Sequence, residues 1–71
     1  MNIQLQYKFP SEQLAYRFLN TVAHLDAEEL KVKFGQTDHH VRVNYKYKQG
    51  QFDNVASQLD DLAARMEGEE V

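Results

Sequence analysis

Two groups of residues in this 71-residue chain have the types and spacing to do chemistry. The first is basic: Lys31 and Lys33, then Arg42, Lys46 and Lys48 with Asn44 between them, occupy every second position of two alternating runs, and Lys8 ends a third such run. Side chains of an extended chain alternate faces with a period of two. These cations therefore share one side of a sheet, while Leu30, Val32, Phe34, Val41, Val43, Tyr45 and Tyr47 share the other. Cations gathered in this way raise a local positive potential that attracts phosphates or a carboxylate-rich surface. The second group is Asp38-His39-His40. Imidazole binds metal ions and changes protonation near neutral pH, so the chemistry on offer is metal ligation or acid and base work beside a carboxylate.

Both groups also have plainer roles. An uncovered antiparallel sheet needs a polar face, and lysine there discourages edge-to-edge pairing. Every strand aromatic, Tyr7, Phe9, Phe34, Tyr45 and Tyr47, falls in the apolar register, so no ring is offered to an unstacked base and nucleic-acid contact is limited to duplex phosphates. An acidic protein surface fits the cations equally well. For the histidines, adjacent extended side chains diverge rather than converge on one ion, and His24, the remaining histidine, is placed at a helix C-terminus, where a partial positive charge is favourable. A small enzyme or metal-binding protein centred on Asp38, His39 and His40 is the secondary reading, and no cofactor is expected. Asp60 and Asp61 are about 100° apart on a helix, a poor geometry for paired acid and base. No phosphate-binding glycine loop, nucleophile elbow or HExxH pattern occurs, and the absence of cysteine removes thiolate chemistry and disulfides.

The elements that position these residues follow from periodicity. Asn2 to Phe9 alternates, with Ile3, Leu5, Tyr7 and Phe9 on one side, which predicts a half-buried strand. Pro10 ends it and Ser11 caps a helix running to His24, with Leu14, Ala15, Phe18, Leu19, Val22 and Leu25 at helical spacing. Asp26 to Glu28 connect to a hairpin turned at Gly-Gln-Thr-Asp, and after Gln49-Gly50 the residues Phe52, Val55, Ala56, Leu59, Leu62, Ala63 and Met66 predict a second helix from about Phe52 to Met66.

The resulting β-α-β-β-α order predicts an α+β two-layer sandwich with both helices on one face of a three-stranded antiparallel sheet. The third strand carries the strongest β formers and is placed centrally, giving order 1-3-2, against the alternative 1-2-3. Residues 1–67 are read as one domain and 68–71 as a disordered acidic tail.

Of the eight Lys and Arg residues, only Arg17 and Arg65 lie off the sheet, whereas Glu29 is the one acid expected on its basic face. A bipolar molecule follows in spite of the net charge of -3. The leading functional expectation is a non-enzymatic interaction module that binds an acidic protein or a nucleic-acid backbone through Lys8, Lys31, Lys33, Arg42, Lys46 and Lys48. The N-terminal run has neither a signal peptide's basic start nor a membrane anchor's apolar length, so a cytoplasmic protein without membrane contact is expected. A core this small favours association, and the first strand, taken as an edge, is the expected route to a homodimer; a self-associating assembly subunit, whose one activity is association through that strand, is the third reading.

The Asp38-His39-His40 string, with the stretch from Phe9 through Phe18 to Val22-Ala23 and that from Gly50 through Leu62, resembles the pterin-4a-carbinolamine dehydratases. In that family the paired histidines end the first helix and precede a proline, and another histidine follows the hairpin. Here His39 and His40 fall in the hairpin turn, Val41 replaces the proline, and Lys48-Gln49-Gly50 has no histidine. The resemblance implies an α/β fold and does not carry the activity over to His39 and His40.

Overall fold

A computed structural model describes residues 2–25, 28–46 and 54–71. Its elements are β1 (Asn2–Lys8), α1 (Glu12–Ala23), β2 (Glu28–Phe34), β3 (His40–Lys46), α2 (Asn54–Arg65) and β4 (Glu69–Glu70). The sheet order is β2-β3-β1-β4, antiparallel throughout. The central place of β3 between β2 and β1 is the 1-3-2 order that its β-branched and aromatic residues predict. Tyr47, Lys48, Gln49-Gly50, Phe52 and Asp53 lie outside the described residues, as does most of the Asp26 to Glu28 connection.

Each element forms for a local reason. Ser11 is extended, and its Oγ accepts the Leu14 backbone N–H at 3.2 Å, which satisfies one of the donors left open at a helix start. At the other end of α1, His24 Nδ1 donates to the Asn20 carbonyl at 2.7 Å. The strands place Tyr7, Phe9, Val41, Val43 and Tyr45 on the face that both helices cover, where Ala15, Phe18, Val22, Leu59 and Ala63 complete a single core. No polar or charged residue among the described residues is buried. Such a core carries no desolvation cost for charge.

Two departures from the simple pattern have physical causes. The register of β2 against β3 shifts between Glu28 and Lys31, a bulge at which Glu29 takes a left-handed φ of 51°. β2 is an edge strand, and a bulge there twists the edge away from further pairing. The other departure is at the chain end, where three strands are expected and a fourth is found. Residues Glu69 and Glu70, read from the sequence as a frayed tail, pair with Lys8 and Tyr7, and the Val71 N–H donates to the Gln6 carbonyl at 2.9 Å. Over that stretch β1 is an inner strand rather than an edge.

The turn that makes this pairing possible is a helix cap. Gly68 N–H donates to the Ala63 carbonyl at 2.7 Å and Glu67 N–H to the Ala64 carbonyl at 3.2 Å, the paired bonds of a Schellman motif. Its left-handed position is held by Glu67, φ 61°, one residue before the glycine. Gly68 is needed for space: a Cβ there would sit 2.3 Å from Phe9 Cε1.

The Tyr7 hydroxyl donates to Asp60 Oδ1 at 2.7 Å and ties α2 to β1. Burial, and next the bond to Asp60, push the Tyr7 phenol well above its ordinary value of 10.0.

Two outcomes follow. Gly68→Ala is expected to lower unfolding free energy by about 1–3 kcal/mol, since the Phe9 ring cannot swing away, whereas Glu67→Gly raises it by about 1 kcal/mol by removing the left-handed penalty; chemical denaturation of both variants checks the pair. Tyr7→Phe is expected to cost about 1–2 kcal/mol for the lost hydrogen bond. Because the folded phenol titrates higher than the unfolded one, wild-type stability is full below pH 10.0 and falls as pH rises through and beyond that value. Denaturation series across the alkaline range should show a shallower fall for Tyr7→Phe.

Candidate functional site

The outer face of the sheet is built by strand register. One row runs Lys33, Arg42, Gln6; the next runs Lys31, Asn44, Gln4. Below them Lys46 stands opposite Asn2, and at the other end His40 stands opposite Lys8. The alternation thus brings Lys8, Lys31, Lys33, Arg42 and Lys46 to one surface, interleaved with amides. Lys48 lies outside the described residues.

These cations are not equivalent. Lys46 Nζ meets Glu29 Oε2 at 2.9 Å, and that hydrogen bond, followed by the Lys46 charge, holds the Glu29 carboxyl below its ordinary value. Lys8 stands opposite Glu69, an acid that the added strand β4 brings onto this face. The remaining three are Lys31, whose charge also acts on Glu29, and Lys33 and Arg42. Lys33 and Arg42 face each other directly across the β2–β3 ladder, and among the described residues neither makes an ion pair. Like charges in that position destabilise a sheet. Arg42 instead directs Nε and Nη2 to Gln6 Oε1 at 3.4 and 3.3 Å, contacts at the long end for hydrogen bonds.

At the strand ends this face opens into a cleft of about 700 Å³, where Gln4 and Asn44 bring amides beside Lys31 and Lys46. Amides offer both donors and acceptors, so the surface can satisfy a carboxylate and the peptide groups around it.

The residues of the second group are drawn apart. His40 begins β3 rather than lying in the turn, and its Nδ1 is 2.7 Å from Thr37 Oγ1. His39 uses its backbone, with the N–H donating to Thr37 Oγ1 at 3.1 Å and the carbonyl accepting from Phe9 N–H at 2.8 Å. Asp38 lies on the helix side of the sheet, lining a second cleft between α1 and β2 with Glu12, Gln13, Tyr16, Arg17 and Phe34. Among the described residues no three His, Asp or Glu side chains gather as ligands for an ion.

Sequence reading leaves out the amide partners Gln4 and Gln6, which alternation places in the outer register but whose neighbours depend on pairing. It also leaves out Tyr16, whose one signal is that it lies off the apolar stripe of α1. Among the described residues no helix is long and apolar enough to cross a membrane. The chain matches no protein-family model, no curated protein and no solved structure.

The opposition of Lys33 and Arg42 generates a stability test. Lys33→Thr is expected to raise unfolding free energy by about 0.2–1 kcal/mol, through relief of the like-charge pair and a better strand residue. Urea denaturation at low salt checks it, and the gain should shrink at high salt.

Proposed function

We propose that the protein is a non-enzymatic interaction module that binds an acidic protein surface through the outer face of its sheet. The observation that supports this reading is the pair Lys33 and Arg42, held opposite each other at a cost to the fold and without an acid to neutralise either among the described residues. A carboxylate set between them would relieve the repulsion and gain two charge-assisted hydrogen bonds. Lys31, Lys46 and Lys8 extend the positive field, and Lys48 continues the same sequence register.

A protein partner fits better than a nucleic-acid backbone for two reasons. Glu29 and Glu69 stand at the rim of the face, where a regular row of phosphates would meet them. The overall charge of -3 also opposes approach to a long polyanion. Amides between the cations suit the mixed chemistry of a polypeptide. A cytoplasmic setting accords with a chain that has no cysteine. Homodimer formation through β1 would fall to Asn2–Leu5, since β4 and Val71 take the far side of Gln6 to Lys8.

The test is a backbone amide NMR titration with acetylated hexaglutamate and, separately, a short DNA duplex, each at low and physiological salt. Shifts are expected at Lys31 to Lys33 and Arg42 to Asn44 with the acidic peptide, and the double variant Lys33→Ala, Arg42→Ala should bind it about fivefold more weakly, two exposed charge pairs at roughly 0.5 kcal/mol each. Unchanged affinity in that variant removes the face from consideration. Tighter binding to the duplex, with a salt slope reduced by about one per cation deleted, would reassign the partner to nucleic acid.

A further inference from the structure

The large apolar side chains exposed among the described residues are Tyr16 (56%), Phe34 (40%) and Val71 (61%). Tyr16 and Phe34 come from different elements yet line one cleft of about 640 Å³ between α1 and the end of β2. The fold does not require either exposure. α1 turns Ala15, Phe18 and Val22 to the core, which leaves Tyr16 off the buried stripe. Phe34 sits opposite Val41 in the inward register, but on the edge strand. The two rings together offer apolar surface that a partner could cover.

The charges around the rings say what. Glu12 from the first turn of α1 and Asp38 from the hairpin loop are the acids among the lining residues, with Arg17 as the one cation and Gln13 as a neutral donor and acceptor. Among the described residues Glu12, Asp38 and Arg17 form no ion pair with one another. An apolar occupant would bury the two rings but leave the two acids without a partner. An anion would meet two like charges against one Arg17.

A lysine or arginine side chain matches on both counts, because its alkyl stem can cover aromatic surface while its head is drawn to ring faces and carboxylates. The volume exceeds one side chain and leaves room for flanking backbone.

We propose that this cleft, lined by Tyr16, Phe34, Glu12 and Asp38, is a docking site for a lysine or arginine side chain of a partner protein. It lies on the helix side of the sheet, away from the basic face, and does not depend on that face binding anything. The two surfaces would take opposite charges, so one molecule could bridge an acidic and a basic partner.

The isotope-labelled full chain is titrated at low ionic strength with the acetylated, amidated peptide Ala-Ala-Arg-Ala-Ala and with versions carrying Leu or Glu in place of Arg. Saturable shifts are expected for the Arg peptide at Glu12, Gln13, Tyr16, Phe34 and Asp38, with affinity falling about two- to fivefold in Tyr16→Ala, the size of an exposed cation–aromatic contact, and also falling in Asp38→Asn. Both substituted residues are exposed, and unchanged amide signals in β1 and β3 show that each variant is folded. Equal binding of the Leu peptide overturns the cationic assignment. Absence of saturable shifts, shifts spread over Asp60, Asp61, Glu69 and Glu70, or variants that bind as wild type overturn the site. Cleft shifts that grow with protein concentration alone, with a dimer in sedimentation, replace the partner protein by a second copy of this chain.

Discussion

Phe9 is the contact on which the arrangement of this molecule depends. Its ring is 1% exposed, packs on Phe18 of α1 at 4.8 Å between centroids, and closes against the backbone of Gly68 just beyond α2. Its backbone N–H reaches the His39 carbonyl in the hairpin loop. One residue at the end of β1 therefore meets both helices' surroundings, the hairpin and the start of β4. Phe18 is shared with Tyr7, whose ring lies 5.3 Å away and whose hydroxyl holds Asp60 of α2. Removing a ring from such a cluster typically costs about 3–5 kcal/mol, a large share of the stability available to a domain of this size.

Among the described residues no charged side chain is buried, and topology then decides which charges become neighbours. Helices on one face of the sheet leave the other to water, and the strands fill it with lysine, arginine and amides. Among the described residues, Glu12, Asp60 and Asp61 lie on the helices and Asp38 in the cleft beside α1. The antiparallel register then sets Lys8 opposite Glu69 but puts Lys33 opposite Arg42, while Lys46 meets the Glu29 side chain at the β2 bulge. Functional interest falls on the mismatch. A sheet face that needed only solubility could have set an acid opposite one of these cations, as β4 sets Glu69 opposite Lys8.

Edge protection and binding potential are distributed unevenly around the sheet. β2 has a bulge at Glu29 and lysines at 31 and 33, features that resist further strand pairing. β1 is instead covered over its C-terminal part by β4, a strand so short that its existence rests on the helix cap before it. The left-handed Glu67 turns the chain, and Gly68 lets it pass the Phe9 ring. A glycine just past a helix end commonly supplies the left-handed residue itself. Here the two duties fall on adjacent residues.

What was legible in the chain is what the backbone repeats locally. Alternation with a period of two separated Lys31, Lys33 and Arg42 from Val32, Val41 and Val43, and spacing of three and four placed Phe18 and Val22 on the buried side of α1. Ser11 after Pro10 marked the helix start. These patterns act over a few residues, and the fold class followed from them. Relations between distant residues were decided only by packing: the opposition of Lys33 and Arg42, the arrival of Glu69 beside Lys8, the bond between Tyr7 and Asp60 across 53 residues, and the meeting of Tyr16 with Phe34. Periodicity says which face a side chain takes, but register and the docking of α1 and α2 choose its neighbour, because those depend on how Phe9, Phe18 and Tyr7 fill one shared volume.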